Sequence, residues 1–153
     1  MQTNTNIDSN INIAKKLHAD HIHGRYIALE NWIIGLFECI EKSNKIHKDE
    51  QINLLNELHC KLVSTWEDSM DSMWNATSWN NIKNISNQYT NLMNNLDKDS
   101  DAFVNDILSK NFVTPIDKQR LDIQYNKQIS NVDAIYNNGV QQTKKQITQL
   151  YTR

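Results

Sequence analysis

The stretch INLLNELHCKLVSTWEDSMDSM, residues 52–73, decides the fold. Its larger apolar side chains recur in alternating steps of three and four residues, which is the period of one face of an α-helix. A heptad seam of this kind is typical of a helix that packs against other helices. The seam consists of Ile52, Leu55, His59, Leu62, Trp66, Ser69 and Met73, and it is widened by Leu58, Val63 and Met70.

Similar patterns occur on both sides of this stretch, and Asp49 offers an N-cap for its helix. A row of mostly apolar positions from Ile11 to Ile40 predicts a first helix over roughly residues 8–43. A run from Trp79 to Leu96 continues the period after the seam. Asparagine, serine and threonine are concentrated in residues 75–81, and these residues compete for backbone hydrogen bonds, so we expect a break there rather than one helix over 49–96.

Two further helices are expected in the C-terminal third. Asp99 or Ser100 can cap a short helix that ends near Lys110. Thr114 is a good N-cap for a last helix, because Pro115 follows at the first helical position, where its missing N–H costs nothing. The chain contains only three glycines and one proline, so it lacks the turn residues of a strand-rich fold.

These elements predict an all-α fold, an antiparallel bundle of three to four long amphipathic helices plus one short connecting helix. The length of 153 residues suits a single domain over residues 1–153. We expect residues 1–7 to form a disordered N-terminal tail.

Composition disfavours several classes of function. The 16 lysines and arginines against 18 acidic residues leave a net charge of −2, so there is no excess positive charge for nucleic-acid phosphates. No apolar segment approaches the roughly 20 residues that a transmembrane helix needs. The first residues lack a basic start and an apolar stretch, so we expect no secretory signal and a cytoplasmic location.

The segment KLHADHIHGRY, residues 16–26, raises the question of a metal site because it holds three histidines. His18 and His21 are three residues apart and share a helix face, whereas His23 points away. The third ligand of a metal site would be His59, but no histidine or carboxylate stands at a matching spacing beside these residues. We therefore expect no metal and no cofactor. An alternative role for the partly buried histidines is to take up protons near pH 6.5 and loosen the bundle.

Trp66, Met70, Met73 and Trp74 lie within about 100° of helical arc and form a candidate interaction face. Large, polarizable side chains suit an adaptable binding surface. The same spacing is also that of an ordinary helical core, and this alternative is the more economical one.

No nucleophile elbow or phosphate-binding loop occurs in the sequence, so we expect no enzymatic activity. The leading hypothesis is a helical bundle that acts through protein–protein contacts, with a protein partner or with itself as a homo-oligomer. A small chain of amphipathic helices with a softer Trp/Met face is also similar in kind to phasin-type proteins. That likeness implies an alternative function as a coat on a lipid or polymer-granule surface.

Overall fold

Four long helices make up the fold of this computed structural model, which describes the backbone of residues 2–152 and the side chains of residues 10–145. The helices are α1 (Gln2–Lys42), α2 (Lys48–Trp74), α3 (Trp79–Ser109) and α4 (Pro115–Thr152). The described residues contain no strand. The predicted all-α bundle is therefore confirmed.

α1 lies at the centre of the bundle and contacts all three other helices, most extensively α4 and α2. Gly35 of α1 lies against Leu121 near the start of α4, while Leu17 lies against Gly139 further along α4. The N-terminal part of α1 thus lies against the C-terminal part of α4, so these two helices run antiparallel. Short connections give the same antiparallel relation to successive helices.

One continuous hydrophobic core holds the four helices together. Leu36 and Ile40 of α1, Leu62 of α2 and Ile107 of α3 have no exposed surface. The α2 seam contributes as the sequence predicts, since Leu55, Leu58, Leu62 and Met73 belong to this core and Ile52 and Trp66 pack against it. Burial of these side chains stabilises the bundle by about 1.5–3 kcal/mol each.

Two of the predicted helix boundaries are confirmed by hydrogen bonds. α2 ends before residues 75–78, and Ser78 caps α3 by accepting a bond from the backbone N–H of Asn81 at 3.2 Å. Thr114 caps α4, because its hydroxyl accepts the backbone N–H of Asp117 at 3.1 Å. Residues 49–96 therefore form parts of two helices rather than one.

Three details differ from expectation. The prediction of a separate short helix is wrong, because α3 continues without a break to Ser109. Ser100 is buried inside this helix, and its hydroxyl donates a hydrogen bond to the carbonyl oxygen of Leu96. Asp49 is not an N-cap, because α2 begins at Lys48 and follows His47 in a left-handed conformation. α1 begins at Gln2, so its helix includes residues 2–7, where we expected a tail.

Candidate functional site

Two of the three neighbouring histidines meet α4 in a cluster of rings, formed by His18, His21 and Tyr136. The ring of Tyr136 stacks on His21 with 4.2 Å between centroids and meets His18 edge-on at 5.2 Å. His21 Nε2 lies 2.8 Å from an Asp133 carboxylate oxygen. The Tyr136 hydroxyl oxygen lies 3.4 Å from His18 Nδ1. The ring cluster therefore fixes the N-terminal half of α1 against α4.

Burial keeps this cluster uncharged near neutral pH. It lowers the pKa of His18 to about 4, with a smaller contribution from the neighbouring His21. Burial also lowers the pKa of His21, although the hydrogen bond and the charge of Asp133 oppose the shift. The pKa of Tyr136 is raised by burial. Neutral rings can donate and accept hydrogen bonds here, and they bring no positive charge.

His59, the third ligand in the metal hypothesis, lies elsewhere along the bundle. Its Nε2 is 3.2 Å from a carboxylate oxygen of Glu30 on α1. Glu30 is nine residues from His21, which is about 13 Å along a helix. Within residues 10–145, no three histidine, cysteine or acidic side chains converge as metal ligands. The structure does not bring His18, His21 and His59 together, and the absence of a bound metal stays a prediction.

The four residues of the proposed Trp/Met face have different environments. Met73 has no exposed surface, and Trp66 and Met70 pack against the core. The indole of Trp66 also stacks on the Tyr26 ring of α1 at 4.8 Å between centroids. Only Trp74 is largely exposed, at 51%. Most of this arc is used inside the bundle, and its role as an interaction face stays a prediction.

An open cleft lies between α1, α3 and α4 beside the ring cluster. It has a volume of about 380 Å³ and is lined by His18 and Tyr136. Residues of the first turns of α3, among them Trp79 and Lys83, line the opposite side. α3 and α4 contact each other less than any other pair of helices in contact, which leaves room between them. We call this depression the α3–α4 cleft.

On the other side of the α1–α4 pair, exposed isoleucines form a row. Ile13, Ile27 and Ile34 of α1 are 44%, 40% and 46% exposed, and they are separated by multiples of seven residues. Asp20 takes the one missing heptad position. Ile135 of α4, 68% exposed, borders the same depression as Asp20 and so continues the row there. We call these four isoleucines the isoleucine stripe.

Sequence reasoning missed a polar cluster that joins three helices. Asp97 of α3 accepts a hydrogen bond from the Tyr125 hydroxyl of α4 at 3.0 Å. The same carboxylate lies 3.6 Å from the Arg25 guanidinium of α1. The sequence does contain one indication of this cluster. Arg25 stands four residues from both His21 and Leu29, which places it on the buried side of α1. A charge at such a spacing indicates a buried partner.

No protein-family model, curated protein or solved structure matches the chain. In the part of the chain that the structure describes, no helix combines the length and the hydropathy needed to cross a membrane.

Proposed function

We propose that this protein is a non-enzymatic helical bundle that acts by binding helices, in the first place those of a second copy of itself. The observation that carries the proposal is the isoleucine stripe. Isolated exposed apolar residues are ordinary on a protein surface, but a row at heptad spacing is the pattern with which one helix packs on another. Both α1 and α4 contribute isoleucines to the stripe, so a partner helix would contact two helices rather than one.

The size of the stripe suits a modest dimer. The 22 residues from Ile13 to Ile34 cover about 32 Å of α1. With α4 beside it, the face is about 20 Å wide, so each copy can bury roughly 600 Å². Stable protein interfaces bury roughly 800 Å² per partner, so we expect dissociation in the micromolar range.

Charges on the same face favour an antiparallel pairing of two α1 helices. Lys16 stands eleven residues before Ile27, and Glu38 stands eleven residues after it. Both side chains are exposed, and 22 residues correspond to about six helical turns, so they share a face with the stripe. A two-fold axis at Ile27 sets Lys16 of one copy opposite Glu38 of the other, in exchange for the 3.0 Å ion pair that Lys16 makes with Asp20 of its own helix, and it sets Asp20 opposite Ile34.

Sedimentation velocity over a wide concentration range tests the proposal. The wild-type protein should dimerise, and Ile27→Asp should make it monomeric because a carboxylate at the centre of the interface cannot be buried unpaired. Ile123→Asp is the matched control, since Ile123 is 60% exposed on α4 but does not belong to the stripe. A monomeric wild type, or an Ile27→Asp dimer of unchanged affinity, contradicts self-association through the stripe.

A charge exchange tests the antiparallel arrangement separately. Lys16→Glu should weaken the dimer by up to about 30-fold, because the two-fold axis creates the pair twice and each pair at an exposed rim contributes up to about 1 kcal/mol. Adding Glu38→Lys in the same chain should restore the affinity. If the double variant is as weak as the single one, the two helices do not pair about Ile27.

A further inference from the structure

The α3–α4 cleft has an apolar floor. Ala14 and Leu17 of α1, Ile82 of α3 and Val140 of α4 line it together. Its volume of about 380 Å³ falls within the roughly 300–1,000 Å³ that small-molecule sites occupy. At about 30 Å³ per water-sized group, the cleft holds a molecule of about a dozen non-hydrogen atoms. The floor therefore suits a compact apolar body rather than a sugar or a nucleotide.

Aromatic rings border the same space. Trp79, which is 37% exposed, lines it, and so does Tyr136, whose ring meets that of His18. Flat aromatic groups stack on such rings and gain about 0.5–1.5 kcal/mol beyond the burial of their area. A planar aromatic body is therefore a better match to the cleft than a flexible aliphatic chain.

Among residues 10–145, the charged side chains that line the cleft are all positive. They are Lys83 and Lys144, and no aspartate or glutamate of this part of the chain lines it. Lys83 makes no ion pair or hydrogen bond within residues 10–145. His18 adds no positive charge at neutral pH, because burial lowers its pKa to about 4. An anionic group in the cleft would meet Lys83, a lysine that has no partner among residues 10–145.

We propose that the α3–α4 cleft binds a small aromatic carboxylic acid, with its ring on the apolar floor beside Trp79 and its carboxylate paired with Lys83. The hydroxyl of Ser86 and the imidazole of His18 line the cleft and provide further hydrogen-bonding groups. The proposal does not depend on self-association, because Ile135 and the rest of the isoleucine stripe do not line this cleft.

Binding of naphthalene-2-carboxylate to the full chain tests the site. Naphthalene-2-carboxamide, which has the same ring system but no charge, is the control compound. Calorimetric titration gives the affinity, and amide chemical-shift changes locate the ligand. The acid should bind more tightly than the amide, with shifts at residues 82–87 and 136–144. Lys83→Gln should weaken binding of the acid about fivefold and leave the amide unchanged, because only the acid pairs with the lysine.

Lys98→Gln is the matched control, since Lys98 is an exposed lysine of the same helix that does not line the cleft. This variant should bind both compounds as the wild type does. The proposal fails if the acid does not bind at millimolar concentration, or if the shifts lie outside the cleft. It also fails if Lys83→Gln and Lys98→Gln have equal effects on the acid.

Discussion

A single carboxylate, that of Asp97, joins α1, α3 and α4. Burial raises its pKa, although the hydrogen bond from Tyr125 and the charge of Arg25 act in the opposite direction. The Arg25 side chain is only 13% exposed, and its Nε has no hydrogen-bond partner. Burying the charged carboxylate therefore costs free energy, but its removal leaves the buried guanidinium of Arg25 and the partly buried phenol of Tyr125 without their acceptor.

Asp97→Ala should lower the free energy of unfolding by about 2 kcal/mol, because it leaves the Arg25 charge without a carboxylate. The value is below that for a fully buried pair, since Asp97 is itself partly exposed. Asp106→Ala is the control on the same helix. Its pair with Lys110 is exposed, so its loss should change stability by less than about 0.5 kcal/mol. Urea unfolding followed by circular dichroism gives both values, and equal losses would contradict the role of Asp97.

Helix boundaries and helix spacing depend on different kinds of information. Local chemistry predicted the break at residues 75–78 and the Thr114 cap, because both depend on residues within one turn. The continuity of α3 could also have been predicted from the sequence, because buried positions keep the three-and-four period through the acidic segment. These positions are Tyr89, Met93, Leu96, Ser100, Val104 and Ile107. The close approach of α1 to α4 could not be predicted from the sequence. It depends on which side chain of the facing helix meets each glycine: Val132 and Leu121 of α4 meet Gly24 and Gly35, and Leu17 of α1 meets Gly139.

Gly24→Ala should destabilise the bundle by about 1 kcal/mol, despite the better helix propensity of alanine. A Cβ at Gly24 lies 2.9 Å from both γ-methyl groups of Val132, and a β-branched side chain cannot turn both away. The overpacking cost of about 1–3 kcal/mol therefore exceeds the gain of about 1 kcal/mol from replacing glycine in a helix.

Gly139→Ala is the matched substitution on α4. Its Cβ would meet the ends of the Leu17 side chain, which borders open depressions and can rotate. We expect this variant to be as stable as the wild type or up to about 1 kcal/mol more stable. Thermal unfolding of the two variants checks the contrast. If Gly24→Ala is the more stable of the two, the glycines do not set the α1–α4 distance.

At the scale of the whole molecule, sequence patterns predicted the fold class but not the pairing of residues from distant helices. The seam of α2 and the row of apolar positions from Ile11 to Ile40 in α1 each indicate that a helix has one buried side. They do not state the register, which follows from loop lengths and from packing. The His21 side chain is mostly buried, and its partner Asp133 is 112 residues away in the sequence. The α3–α4 cleft could not be foreseen for the same reason.

The stability of the bundle should fall as the pH decreases from about 6.5 toward 4. The pKa of His18 is lowered to about 4 in the folded protein, first by burial and then by His21, against 6.5 in the unfolded chain. The folded state thus binds fewer protons in this window, and acidification favours the unfolded state. The lowered pKa of His21 acts in the same direction.

His18→Gln should flatten this dependence. One fully linked proton changes the free energy of unfolding by about 1.4 kcal/mol per pH unit, and His18 should contribute less because part of its ring contacts solvent. Urea unfolding of both proteins at a series of pH values gives the two curves. Their difference reports His18 together with its electrostatic coupling to His21, since the other ionisable groups are shared. The Asp97 carboxyl, whose pKa is raised, acts in the opposite sense at the acid end in both proteins. Parallel curves between pH 6.5 and 4 would show that the His18 ring is not withdrawn from water and that burial does not keep the ring cluster uncharged.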